Sequence, residues 1–291
     1  NALKLEGRAE FCEGSWYGGL LRGEDARGSG VGTWAEGLAG LWCTSLGHGV
    51  KELCMAGAVT RPQIDPLAID TATEACSAAA CVDGRWAERF ETIGRGHTDT
   101  LLPMVQAVLA ELEAELQGID RIVVGRGPGA FTGVRIGVAC AQGLAQGLGR
   151  SIVPVSSLEA MAWQAAHEHA ALPIDVAVAI DARAGGVYFA SYHVEPNALP
   201  ALRVSERVCA PEAVPALSSD CVLTAGTGWA RHPDALSRAI ACPQQPSDVT
   251  LPTARAMAEM ALLGIPAVAA QCLEPTYLRD QVVHRPTVSP S

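Results

Sequence analysis

The sequence predicts an α/β protein built from two halves of similar plan. A pair of apolar strands joined by a tight turn precedes strand–helix crossovers within residues 67–169, and the same order of elements recurs within residues 175–263. The repeat concerns the order of elements and not the residues themselves. A hydrophobic content of 49% in 291 residues is ample for a sizeable core.

In the first half, short apolar runs bounded by turn residues predict five strands. These strands are 67–70, 76–82, 85–92, 121–125 and 152–155. Apolar residues at three- and four-residue spacing predict a helix that Thr98 or Asp99 caps and that reaches about Leu116. Two further helices are predicted at 134–148 and 157–169.

The second half repeats this order with four predicted strands and one helix. The strands are 175–180, 187–194, 203–209 and 221–225, and the helix is 253–263. The predicted division is therefore a first lobe at 66–170 and a second lobe at 171–291. The last helix of the second lobe is expected to be able to pack back on the first lobe.

Residues 1–65 are predicted to be an appended segment that is poorly ordered or loosely packed. The first 63 residues hold thirteen glycines and show no sustained helical or strand period. Pro66 lacks an N–H group and is expected to interrupt the start of a central strand, which also separates this segment from the fold.

Composition indicates a soluble cytoplasmic protein that does not bind nucleic acid by itself. The formal charge is −10, and both lysines, Lys4 and Lys51, precede residue 64. Ten cysteines without a C-x-x-C motif favour buried thiols in a reducing compartment. Neither an apolar run long enough for a membrane span nor a signal-peptide pattern occurs.

The glycine-rich stretch 125–137 follows a predicted strand and opens into a helix, so it has two interpretations. Free N–H groups at a helix start could hold an anion, with Arg126 and Arg135 nearby. Alternatively, the glycines permit a tight turn between strand and helix. The stretch lacks the Gly-Lys-Ser/Thr ending of a P-loop, and no acidic residue follows at the distance of a dinucleotide fingerprint.

No catalytic or metal-ligating residue is predicted. Asp70 ends a strand before two threonines, which fits either a metal–phosphate site or an ordinary turn. His167 and His169 are two residues apart, so on a helix they cannot share a metal. The usual zinc-hydrolase and serine-hydrolase motifs are absent from the sequence.

Two helices carry apolar stripes that fit a core or a partner interface, and the pattern alone slightly favours core. The candidate interface residues are Leu101, Leu102, Val105 and Leu109 on the first helix, and Val134, Val138, Ala141 and Ala145 on the second.

A series of motifs in this order resembles the bacterial TsaB (YeaZ) family. They are Leu67-Ala-Ile-Asp-Thr-Ala-Thr-Glu-Ala-Cys-Ser77, the stretch 125–137, Ala141-Gln-Gly-Leu-Ala145, Ile180-Asp-Ala-Arg183, Gly226-Thr-Gly-Trp229 and Glu274-Pro-Thr-Tyr-Leu-Arg279. The resemblance covers roughly residues 67–279. One departure is Gly186, at a position where many relatives carry Glu.

The resemblance implies an actin-like (ASKHA, ribonuclease H-like) fold of two related lobes. It implies a non-catalytic subunit that supports the transferase TsaD, together with the ATPase TsaE, in making N6-threonylcarbamoyladenosine at position 37 of tRNA. Contact with tRNA is expected only through that complex, and a homodimer is expected without the partner. Helices 98–116 and 133–148 become the expected partner interface.

No cofactor is predicted, although the resemblance allows a nucleotide at the partner interface. The candidate nucleotide or anion contacts are Asp70, Gly127, Gly129 and Arg135. The alternative function is a stand-alone actin-like ATPase or a glycoprotease-type hydrolase, which Asp70 and the glycine-rich stretch motivate.

Overall fold

The computed structural model describes residues 64–169 and 172–278, in which two five-stranded sheets form. The first sheet has the order β3-β2-β1-β4-β5. Its strands are β1 (Pro66–Asp70), β2 (Ala75–Val82), β3 (Arg85–Thr92), β4 (Arg121–Gly125) and β5 (Ser151–Val155). β1–β3 are joined antiparallel, whereas β4 and β5 continue the sheet in parallel from β1.

The second sheet repeats this topology with the order β10-β9-β6-β7-β8. Its strands are β6 (Ile174–Asp181), β7 (Val187–Val194), β8 (Ala201–Cys209), β9 (Val222–Ala225) and β10 (Gln244–Pro246). β6–β8 are antiparallel, and β9 and β10 run parallel to β6. The recurrence of one mixed topology confirms the prediction of two α/β halves of the same plan.

Six α-helices cover the sheets of the described residues. They are α1 (His97–Glu111), α2 (Phe131–Leu148), α3 (Ser157–Glu168), α4 (Thr227–Arg231), α5 (Pro233–Ile240) and α6 (Ala254–Leu262). Short 3₁₀ turns occur at Leu116–Gly118, Pro211–Ala213 and Ala270–Cys272. No helix within residues 64–169 or 172–278 combines the length and apolar character that crossing a membrane requires.

The helices and sheets stack in alternating layers around three clusters of buried side chains. α1 and α2 pack on the outer face of the first sheet, and α4 and α5 on the outer face of the second. α3 packs against the second sheet and α6 against the first, so both helices lie between the sheets. Each of these two helices therefore packs on the sheet of the other half of the chain, and α6 covers the face of β1, β2 and β4.

Several element boundaries differ from the sequence prediction. α1 begins after Gly96, whose φ is 91°, and no side chain caps it, so the predicted capping by Thr98 or Asp99 is wrong. The same helix ends at Glu111 because Glu113 adopts a φ of 55°. Pro66 does not interrupt β1 but forms its first residue, a position that tolerates a missing N–H.

Two predicted boundaries lie outside the described residues. The appended segment 1–65 does so except for Ile64 and Asp65, and the lobe boundary at 170/171 does so entirely. The N–H of Asp65 donates to the carboxylate of Asp120 at 3.1 Å, which fixes the entry into β1 beside the start of β4.

Candidate functional site

The glycine-rich loop between β4 and α2 packs directly on the turn that follows β1. The N–H of Ala130 donates to the carbonyl oxygen of Ala72 at 2.6 Å, and Thr71 Oγ1 donates to the carbonyl oxygen of Gly133 at 2.7 Å. A Cβ at Gly133 would overlap the carbonyl oxygen of Thr71, and one at Gly129 would overlap that of Ala72. Close backbone packing therefore accounts for these glycines without a ligand.

Asp70 lies beneath this loop and is fully buried. Its Oδ1 accepts the N–H of Ala72 at 3.2 Å, and its Oδ2 has no hydrogen-bond partner among the described residues. Burial raises the pKa of the Asp70 carboxyl to about 7, and the N–H groups of Ala72 and Thr71 oppose part of this rise. Near neutral pH a large fraction of this carboxyl is therefore uncharged.

A cleft of about 850 Å³ opens above the loop, between the ends of the two sheets. The first half contributes the turn after β1, the starts of α1 and α2, and residues 94–96. The second half contributes the end of β6, the start of β7 and part of α4. The hydroxyl of Tyr188 on β7 donates to the carbonyl oxygen of Gly129 at 3.5 Å, which joins the two sides. This volume falls in the range of small-ligand sites.

Arginines give this cleft a basic character that the whole chain lacks. Arg95, Arg183 and Arg231 line it, against the two carboxylates of Glu74 and Asp181. Asp181 Oδ1 accepts the N–H of Arg183 at 3.0 Å. Because the chain as a whole has a charge of −10, the cleft differs in sign from the average surface.

The four predicted anion contacts do not converge in the cleft. Gly129 lines it, whereas Asp70 and Gly127 are buried below its floor. Arg135 lies on the first turns of α2 and packs on the rings of Phe131 and Tyr277, both of which line the cleft. Their role as nucleotide contacts stays a prediction. Of the three arginines that do line the cleft, Arg183 belongs to a motif of the family resemblance, whereas no local sequence signal points to Arg95 or Arg231.

A second polar cluster lies where the chain passes from β5 into α3. The Ser156 hydroxyl donates to Glu206 Oε1 and accepts the N–H groups of Leu158 and Glu159, so it caps α3. The hydroxyl of Tyr192 donates to the same Glu206 oxygen at 2.8 Å. Burial, and then the charge of Glu206, raise the pKa of Glu159 to about 7, with Arg126 opposing the rise.

A Ser–His–Asp grouping also exists, but its connectivity differs from that of a hydrolase triad. Asp175 lies at its centre: Ser219 Oγ donates to Asp175 Oδ2 at 2.9 Å, and His193 Nδ1 lies 2.6 Å from Asp175 Oδ1. A triad instead places the histidine between serine and carboxylate, so that imidazole can take the hydroxyl proton. Within the described ranges, no three His, Cys, Asp or Glu side chains form a metal-binding group.

Seven of the eight predicted interface residues face the core of their own chain. Leu101, Val105, Leu109, Val134, Val138, Ala141 and Ala145 all belong to the buried cluster between the first sheet and its outer helices. Leu102 alone projects outward, with 48% of its surface exposed. The apolar stripes thus pack on the first sheet, and the outer faces of the same helices remain available.

Two mixed sheets of one topology, helices exchanged between them and a cleft at their ends define an α/β protein of the actin-like class. A family model for TsaD, the tRNA N6-adenosine threonylcarbamoyltransferase, matches residues 91–221. The solved structure of YeaZ from Pseudomonas aeruginosa is 39% identical, with a TM-score of 0.66 over 74% of this chain and all of that one.

Several relatives carry the name tRNA threonylcarbamoyladenosine biosynthesis protein TsaB, and two of them match over most of their length. The one from Escherichia coli is 42% identical over 223 residues, which span 74% of this chain and 95% of the relative. The one from Haemophilus influenzae is 39% identical over 227 residues, or 94% of its length. The chain belongs to the TsaB family, as its motifs predict, and the actin-like fold is confirmed for the described residues.

Proposed function

We propose that this chain is a non-catalytic subunit in the biosynthesis of threonylcarbamoyladenosine in tRNA, and that it acts by binding the TsaD transferase. The supporting observation is 42% identity over nearly the whole length of a relative named for this pathway. The match of a TsaD family model to residues 91–221 indicates kinship with the transferase itself, which favours pairing between related chains.

The chemistry of the described residues supports a non-catalytic role. Asp70, the residue that motivated an ATPase, is buried below the cleft floor and has its pKa raised to about 7. The Asp175-centred grouping leaves Ser219 without a histidine to take its proton, which disfavours a hydrolase. Neither alternative enzyme is therefore favoured by a specific observation.

The outer faces of α1 and α2 offer a surface suited to a partner helix. α2 has a single charged residue, Arg135, in eighteen positions. On its outer face, a Cβ added at Gly143 or Gly147 would meet no atom within 4 Å, so nothing in the described chain requires glycine there. Small residues let a second helix approach closely, and the exposed Leu102 near the start of α1 adds apolar area on the neighbouring helix.

Co-purification with TsaD and restoration of the tRNA modification in cells lacking TsaB test this proposal. Leu102→Glu is expected to abolish capture of TsaD, because burying an unpaired carboxylate in an interface costs on the order of several kcal/mol. Leu101 and Val105 are unsuitable for this test, since both lie in the core at 1% and 3% exposure.

Leu202→Glu is the matched control, because Leu202 is 57% exposed on β8 of the other sheet. Both variants should melt at the temperature of the unmodified chain. Capture of TsaD by the folded Leu102→Glu variant at the unmodified level would refute the helix surface. Failure of the unmodified chain both to bind TsaD and to restore the modification would refute the proposed function.

A TsaE contact, a homodimer, a cytoplasmic location and a nucleotide at the partner boundary stay predictions of the resemblance. Each has a direct measurement: pull-down with TsaE, sedimentation of the chain alone, fractionation of cells, and calorimetry with ATP and Mg²⁺ on the chain with and without TsaD. Turnover of ATP by the isolated chain would revive the enzyme alternative.

A further inference from the structure

We propose that the exposed cluster of Phe131, Arg135 and Tyr277, named the ring platform, binds an unpaired nucleotide of an RNA strand at the mouth of the cleft. This inference rests on the proposed function for its choice of RNA, since tRNA is the substrate of that pathway. The family resemblance implies that tRNA is held only through the complex, and the ring platform would give this subunit a contact of its own.

The ring platform is preorganised and open to solvent. Its two rings lie 5.7 Å apart between centroids, and 47% of Phe131 and 45% of Tyr277 is exposed. The guanidinium carbon of Arg135 lies 3.5 Å from the Phe131 centroid and 5.3 Å from that of Tyr277. Arg135 Nε donates to the Tyr277 hydroxyl at 2.8 Å, which fixes the stack before any ligand arrives.

These groups match the chemistry of a nucleotide. An exposed ring offers a face to any base, and stacking of this kind tolerates different sequences. The remaining N–H groups of Arg135 make no hydrogen bond to another described residue, so they can donate to phosphate or to a base edge. The adjoining cleft of about 850 Å³ leaves room for a nucleotide that has turned away from its strand.

The charges around the cleft favour a polyanion. Arg95 and Arg231 line it and make no ion pair with another residue of the described part, whereas Arg89, Arg203 and Arg255 pair with carboxylates elsewhere. The carboxylates that face the cleft are Glu74 and Asp181. Distant acidic residues weaken this attraction little, because salt screens charges beyond about 8 Å at physiological ionic strength.

A protein partner would also contact aromatic and arginine side chains, but unpaired arginines fit RNA better. The core of a protein interface is depleted in charge, and each arginine buried there needs a carboxylate from the partner. RNA supplies one phosphate per nucleotide, and its stacking bases meet the rings. An unpaired loop is required, since bases in a duplex expose no face.

Fluorescence anisotropy of a labelled RNA hairpin with an unpaired loop, titrated with the full chain, tests the proposal. Binding to the hairpin is expected to exceed binding to a fully paired duplex of the same length. Phe131→Ala and Tyr277→Ala should each weaken it by about 5- to 150-fold, the range found when one stacking ring is removed. Tyr277→Phe keeps the ring and should retain most of the binding.

Phe90→Ala is the matched control, because Phe90 is 43% exposed on β3 and does not line the cleft. Arg231→Gln should weaken binding to every loop sequence alike and reduce the slope of log affinity against log salt by about 1. All variants should remain folded, which their circular dichroism spectra check, since the changed side chains lie at the surface and outside the buried clusters.

Three results would overturn the proposal: equal affinity for hairpin and duplex, no larger loss for Phe131→Ala than for Phe90→Ala, or competition by free AMP as strong as that by the hairpin. The last result would assign the ring platform to a free nucleotide. Capture of TsaD is scored separately, so a chain that binds TsaD but no RNA fails only here, and a chain that binds RNA but not TsaD fails only the proposed function.

Discussion

The same substitution in one helix should change stability in opposite directions at two positions. Glycine within a helix is less favourable than alanine by about 0.5–1 kcal/mol, so Gly→Ala normally stabilises. At Gly143 on α2 a new Cβ meets no atom within 4 Å, and Gly143→Ala should raise the free energy of unfolding by that amount. At Gly133 the new Cβ would overlap the carbonyl oxygen of Thr71.

Gly133→Ala must therefore displace α2 or the turn after β1. Overpacking of this kind costs about 1–3 kcal/mol, and the displacement also weakens the buried hydrogen bond from Thr71 Oγ1 to the Gly133 carbonyl oxygen, which contributes about 1 kcal/mol. Even after the gain in helix propensity, Gly133→Ala should destabilise the chain by about 1–3 kcal/mol.

Urea unfolding of both variants, followed by circular dichroism with the unmodified chain alongside, measures this difference. The expected result is a lower midpoint for Gly133→Ala and an equal or higher midpoint for Gly143→Ala, at an unchanged denaturant dependence. Equal stabilisation by both substitutions would show that the loop does not pack on the turn after β1 as described.

Two further predictions concern the buried polar groups. Ser156→Ala removes the cap of α3 and one hydrogen bond to Glu206, so it should lower the free energy of unfolding by about 1–2 kcal/mol in urea titrations, and an unchanged midpoint would contradict the cap. Burial raises the pKa of the Asp70 carboxyl from 3.8 to about 7, so the native state holds a proton that the unfolded state releases. Stability should therefore fall as pH rises between about 4 and 7, and Asp70→Asn should reduce this fall, with Glu159 accounting for part of the remainder; an identical pH profile in the variant would refute the assignment.

The buried strands could be predicted from sequence because their apolar runs end at clear turn signals. β4 at Arg121–Gly125 and β7 at Val187–Val194 occur with the predicted bounds. α2 instead begins at Phe131, three residues before the predicted start. The predicted helix excludes Gly133 because glycine at such a position is locally typical of a loop. Its place inside a helix depends on the contact with Thr71, which is distant in sequence and leaves no local pattern.

Two elements that the sequence analysis did not predict, α5 and β10, went unpredicted for different reasons. α5 at Pro233–Ile240 has a proline in its first turn and buried Leu236 and Ile240 four residues apart, so a usable signal was present. β10 at Gln244–Pro246 has no apolar alternation, and its extended form follows from pairing with β9. The arginines of the cleft likewise come together only through tertiary structure.

The two faces of α2 explain why its apolar stripe does not by itself identify a partner interface. A stripe on a helix reports which side is covered, but the first sheet already covers Val134, Val138 and Ala141. The proposed partner contact therefore uses the opposite face, where a Cβ added at Gly143 or Gly147 would meet no atom within 4 Å. The ring platform, with Phe131 and Arg135, occupies the N-terminal end of the same helix, whereas these glycines lie in its C-terminal half. The two proposed contacts, with a partner and with RNA, therefore use separate parts of α2, and we expect a substitution in one part to leave the other activity measurable.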